Sequence, residues 1–161
     1  MVAVATLVAL GVIDLQLRNA VSLQGVVSFE LCAYSGSCRA IVEAWGPMGQ
    51  IWAGLSLGLD YLFMPAYAAA IFFALRLAAE RVPERFRRAT RVVAWTAWGA
   101  AVMDAFENLA LVRMLVSADA DAQAWPAAIC ATVKFGLLAV ALGWLVVARF
   151  ARRGRIEWST R

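Results

Sequence analysis

The chain reads as an all-α protein of the membrane: a four-helix transmembrane bundle with both termini cytoplasmic and a long, structured extracytoplasmic loop between helices 1 and 2. Three observations lead there. Of 161 residues, 63% are hydrophobic and only 16% charged, against about a quarter charged in soluble domains. The apolar residues gather into four stretches, at about 2–17, 51–75, 92–116 and 125–148, and about 20 apolar residues span a bilayer. The arginines gather between and after those stretches, on one side.

The first helix, about 2–19, ends in Asp14, Gln16, Arg18 and Asn19. It lacks the basic leader segment of a signal peptide and is therefore read as a bundle helix. The loop 20–50 holds VVSFEL and a helical-looking CRAIVEAW, too apolar for a simple connector. It is expected to fold back as a lid over the outer half of the bundle, with GPMG at 46–49 turning the chain into the second helix, 51–75. The connection 76–91 carries Arg76, Arg81, Arg85, Arg87, Arg88 and Arg91, and the tail after the fourth helix carries Arg149, Arg152, Arg153, Arg155 and Arg161. Only Arg18, Arg39 and Arg113 fall on the other side, so both termini are placed inside, and a bacterial inner membrane is the expected location. Trp45, Trp52 and Trp125 are assigned to the outer interface, and Trp95, Trp98 and Trp144 to the inner one. The third helix takes 92–116 and the fourth 125–148, without internal repeat or linker, so residues 1–161 form one domain. The basic runs hug helix ends, which suits anionic lipid headgroups rather than nucleic acid. Oligomeric state is not readable from the sequence.

The charges inside the apolar stretches locate a site. An Asp or Lys at a helix centre costs roughly 2.5–3.5 kcal/mol on insertion scales, so it faces a bundle interior and has a function or a partner there. At about 1.5 Å per residue, Asp60, Asp104, Glu107 and Lys134 fall in one layer just outside the midplane, and Asp14 reaches similar depth. Asp104, Glu107 and Asn108 stand at i, i+3 and i+4, on one helix face. Asp60 and Tyr67 also share a face, with Pro65 between them expected to kink the helix and free a carbonyl. Asp60, Tyr61, Phe63 and Tyr67 are read as an aromatic wall ending in a carboxylate. Carboxylates outnumber the lysine, so at least one is expected to be protonated or to hold a cation.

A carboxylic acid kept neutral is what a general acid requires. The leading reading is an intramembrane enzyme that isomerises, cyclises or hydrolyses a lipophilic substrate, with Asp104 and Glu107 as acid/base pair and Asp60 sharing their proton. Asn108, Tyr67, Tyr61 and Lys134 would bind a polar substrate group, and Glu30 with the lid would restrict water. A lipid- or cation-binding carrier, with or without proton coupling, is the alternative, and a structural subunit whose Lys134 pairs with one carboxylate is a third. The chain has no histidine, which excludes histidine-ligated haem and argues against zinc; no cofactor or resident metal is called for, although carboxylates could hold Mg²⁺ or Ca²⁺. Cys32 and Cys38 are read as a disulfide pinning the lid. The other reading is quinone-linked thiol chemistry, as in the bacterial disulfide-bond oxidase or the vitamin K epoxide reductase family, but those use C-x-x-C plus a second pair and this chain has three cysteines.

The set FEL at 29–31, Trp45, DYLFMPAY at 60–67, DAFEN at 104–108 and KF at 134–135 resembles a group of small, uncharacterised bacterial four-helix integral membrane proteins. The resemblance covers the chain from Phe29 to the fourth helix. It implies an inner-membrane location and adds Glu30 to the polar set, without implying an activity or including the cysteines.

Overall fold

A computed structural model describes residues 1–36, 38–117 and 120–158, with side chains no further than Phe150. All regular structure among them is helical: α1 (Val2–Leu15), α2 (Val26–Glu30), α3 (Cys32–Ser35), α4 (Cys38–Ala79), α5 (Glu84–Ala94), α6 (Thr96–Val116) and α7 (Ala124–Trp158), with a 3-10 turn at Ala120–Gln123 leading into α7. Helices α4, α6 and α7 pack on one another, α1 lies along α4, and α5 rests on α4 and α7.

Glycine and proline break α4 where GPMG predicts a turn. Gly46 has φ 60° and ψ −174°, a backbone that a side chain would disfavour, and Pro47 offers no N–H to continue the preceding turn. Residues 38–45 are therefore a short helix of the lid, while 47–79 form the long one. Pro65 sits inside that long helix without interrupting its helical dihedrals, and its missing N–H leaves the Tyr61 carbonyl without an intrahelical donor.

Several helix limits differ from the apolar stretches. Helix α1 stops at Leu15. Pro83, extended at ψ 147°, starts α5, so Arg85, Arg87, Arg88 and Arg91 ride on a helix rather than in a loop. Only Trp95 separates α5 from α6; its N–H reaches the Val92 carbonyl at 3.1 Å and its carbonyl accepts from Gly99 at 3.1 Å, so 84–116 is nearly one helix. Hydropathy marks where a helix turns apolar, whereas arginine is a good helix former and lets the helix continue past that point. The backbone of α7 likewise runs on to Trp158. The side chains of Arg152, Arg153 and Arg155, and all of Arg161, lie outside the described residues, as do Ser37 in the lid and residues 118 and 119 of the last outer loop.

The core is layered along the helices. One cluster joins the lid to α4, α6 and α7 through Phe29, Ile41, Trp45, Leu57, Leu111 and Met114. A middle cluster centres on Met64, Tyr67, Ala68 and Ala100, and a third on Leu75, Ala94 and Ala141. Ala97 and Ala100 on α6 and Ala127, Ala128 and Ala131 on α7 are fully buried; small residues let backbones approach closely, the packing mode of helices in lipid. Trp45 belongs to this core rather than to an outer aromatic belt. It is 8% exposed, its ring meets Phe29 edge-on, and its indole N–H donates to the Leu17 carbonyl at 2.7 Å and the Ser22 hydroxyl at 3.0 Å.

Much of the outside is apolar too. Val4, Leu7, Val8 and Val12 of α1, Leu55, Leu62 and Phe73 of α4, Phe106 of α6, and Val140, Val146 and Val147 of α7 are all exposed. Two helical segments, Cys38–Ala79 and Asp121–Phe150, are long and apolar enough to cross a membrane, and α1 is apolar but shorter.

Candidate functional site

Lys134 comes from the face of α7 that meets α6, and three carboxyl groups converge on it. Its ammonium stands 3.2 Å from Asp104 Oδ1, 2.8 Å from Glu107 Oε2 and 3.4 Å from Glu30 Oε2. Asp104 and Glu107 reach it together because three residues on α6 bring side chains to one face. Glu30 arrives from above, at the end of α2. All four groups are buried. Phe135 lies beneath the ammonium, 4.7 Å from Nζ to ring centroid, within cation–π range. An account in which Lys134 pairs with one carboxylate, stranding the others, is thus replaced by one in which a single cation binds three.

The surrounding polar groups extend this core. Tyr67 donates its hydroxyl to Asp104 Oδ2 at 3.0 Å. Asn108 donates from Nδ2 to Asp60 Oδ2 at 3.0 Å and to the Leu57 carbonyl at 3.2 Å, tying α6 to α4. Burial pushes the Glu30 carboxyl above the usual carboxylate range, against the pull of the Lys134 ammonium. One ammonium balances one carboxylate charge; with Glu30, Asp104, Glu107 and the nearby Asp60, the cluster either carries protons or presents net negative charge.

The structure gathers most of the residues singled out in sequence and separates a few. Glu30, Asp104, Glu107, Tyr67 and Lys134 form one hydrogen-bonded group, and the Asp60–Asn108 pair lies beside it, with Asp60 and Lys134 lining the same groove. Tyr61 joins neither: the side chain is exposed, and its hydroxyl donates outside the cluster to the Ala105 carbonyl at 3.3 Å. One residue from Asp60, it lies about 100° round the helix. Asp14 also stands apart, accepting from Arg18 at 2.9 Å and from the Val26 backbone N–H at 2.8 Å, so it fastens the start of α2. Gly25, with φ 57°, is wedged against that carboxylate, and any Cβ there would collide with it. Arg113 is exposed and contributes nothing to the cluster.

A groove of about 340 Å³ opens beside the cluster, bounded by α1, α2, α4 and α7. Its walls are mostly apolar, with Leu7, Leu10, Leu57, Phe63, Phe135 and Leu138; Glu30, Ser56, Asp60 and Lys134 form its polar floor, and Asp14, held by Arg18 and Val26, also lines it. Asp104 and Glu107 are absent from the lining: they stand behind the lysine. Ser56, one turn before Asp60 on the same face, and Gly11, which leaves open space where a side chain would project, are groove residues that the sequence reading did not single out. The i, i+4 spacing to Asp60 is the signal that marks Ser56.

The lid over the groove is held at several points. Cys32 and Cys38 stand at disulfide distance, their Cα atoms 4.9 Å apart. Tyr34 shares a hydrogen bond with Thr132 of α7 at 2.9 Å and meets Trp125 edge-on. No protein-family model matches the chain, and no curated protein or solved structure is significantly similar to it.

Proposed function

We propose that the protein is a multi-pass enzyme of a bacterial inner membrane, akin to the small four-helix proteins it resembles, that works on a lipophilic substrate by proton transfer at the Lys134 cluster. The four long helical stretches form a transmembrane bundle with both termini in the cytoplasm. The observation that carries the function is the pairing of an apolar groove with a floor of Asp60, Glu30 and Lys134, behind which Asp104 and Glu107 hold the lysine. A lipophile enters sideways from the bilayer along α1, places its polar group on the floor and leaves its apolar part against Leu7, Leu10 and Leu138. Asp60, oriented by Asn108, takes or returns a proton, and the Lys134 ammonium stabilises negative charge developing on the substrate. Asp104 and Glu107 fix the ammonium and share protons with it, and α2 keeps bulk water out. Isomerisation by proton abstraction and return fits this set best, with cyclisation or hydrolysis as related possibilities.

The excess of carboxylates over cations also favours a second reading: a proton-coupled carrier or binding protein for an amine- or hydroxyl-headed lipid, or for a cation. The two differ in whether the bound molecule leaves chemically changed. In lipid nanodiscs formed directly from membranes, the wild-type chain is expected to retain a lipophile detectable by native mass spectrometry. Gly11→Phe should expel it while leaving the cluster intact, whereas Asp60→Asn and Glu107→Gln should retain fold but lose turnover or, for a carrier, ligand exchange. No retained lipophile in the wild type, or wild-type behaviour in all three variants, rejects both readings and leaves the cluster as structural glue.

A further inference from the structure

A second groove lies at the far end of the molecule from the lid, where α4 and α7 run side by side. It encloses about 400 Å³ and shares no lining residue with the first. Ala74, Leu77, Ala78, Leu145 and Val146 form its walls, and Arg81 and Arg149, the last lining residues of the two chain segments, close one end. Among the described residues no acidic side chain lines it. Nearby Arg87 and Arg91 have carboxylate partners in Glu84 and Glu80, whereas among the described residues no carboxylate pairs with Arg81 or Arg149. Two guanidiniums without a carboxylate partner among the described residues, at the end of an apolar slot, match an amphiphile with an anionic head. Guanidinium forks bind phosphate oxygens in bidentate fashion, and basic pockets between helices at the cytoplasmic face are where phospholipid heads are recognised.

We infer that this groove binds one anionic phospholipid, with its phosphate between Arg81 and Arg149 and an acyl chain along the alanine-lined wall of α4. The assignment rests on the membrane reading above, with this end at the cytoplasmic leaflet, but is independent of the chemistry at Lys134. Its occupant is a lipid rather than a soluble anion because the arginines cap a slot whose remaining walls are apolar.

The test uses the full chain in nanodiscs of phosphatidylcholine alone or with phosphatidylglycerol, read by native mass spectrometry and thermal unfolding. The wild type should retain a phosphatidylglycerol molecule and melt higher when it is present. The double variant Arg81→Gln/Arg149→Gln should lose both effects, and Arg88→Gln, an exposed arginine outside the groove, should keep both. Ala74→Trp, which obstructs the slot and leaves both arginines, should also lose retention. Equal retention in the double variant, or an equal loss in Arg88→Gln, overturns the proposal in favour of diffuse surface charge. Stabilisation by inorganic phosphate in phosphatidylcholine discs overturns the lipid assignment. Release of the chain from membranes by alkaline carbonate would instead reject the membrane reading itself.

Discussion

Lys134 is the residue on which the interior depends. Taking an ammonium and a carboxylate out of water costs several kcal/mol per ion, and only close pairing with good geometry offsets it. Here the lysine offers three donors and meets three acceptors at 2.8–3.4 Å, while Tyr67 supplies a further donor to Asp104. Lys134→Met preserves length and apolar stem but leaves Glu30, Asp104 and Glu107 facing one another with no cation. It should destabilise the protein by roughly 3–5 kcal/mol, measured by denaturant unfolding in detergent. Glu107→Gln should cost clearly less, because the amide still accepts from the ammonium and the other two carboxylates remain. Equal costs for the two variants would mean that the lysine is not the organising charge.

The lid shows at the level of elements how a short segment acquires a fixed position. Five residues of α2 cannot hold a helix alone. Asp14 secures the first N–H of α2, Phe29 and Trp45 pack beneath it, and Cys32 and Cys38 join its continuation to the start of α4. Their Cα separation of 4.9 Å lies within the bonding range, so peptide mapping under non-reducing conditions of protein from an oxidising compartment should recover the two cysteines linked. Two free thiols in material never exposed to reductant would contradict this. The lid and its GPMG turn were legible in the sequence because an apolar outer loop needs somewhere to bury itself and because Gly46–Pro47 is local chemistry. The polar layer was legible because ionisable groups stand out in apolar runs and depth follows from rise per residue. Partner choice was not, since convergence of α2, α6 and α7 on Lys134 depends on helix rotations that one-dimensional depth does not contain. For the same reason Trp45 reads as an interfacial ring although its N–H is satisfied inside. Tyr61 was different: its angular offset from Asp60 was already present in the spacing and was outweighed by its place in a run of aromatics.

At the scale of the whole molecule, the arginines and the cysteine pair set two independent constraints on orientation in the proposed membrane arrangement. Exposed valines, leucines and phenylalanines stand on α1, α4, α6 and α7, and contiguous exposed apolar surface is what a membrane or a partner covers. The paired helices α4 and α5 carry a dense arginine turn at one end, whereas the lid, with its cysteines, occupies the other. In the membrane-spanning arrangement proposed above, arginine-rich short connections would stay on the cytoplasmic side and a disulfide would persist on the oxidising side, so the two signals would select the same orientation. Without the cysteines the arginines would still select it; without the arginines a disulfide would. Single cysteines introduced into a variant lacking Cys32, Cys38 and Cys130 should therefore label from opposite faces: one replacing Phe86 at the start of α5 only from the cytoplasm, and one replacing Ala120 before α7 only from outside. Labelling of both from the same face would require α6 to return to the side from which it came, and would break the bundle topology on which lateral entry to the Lys134 groove depends.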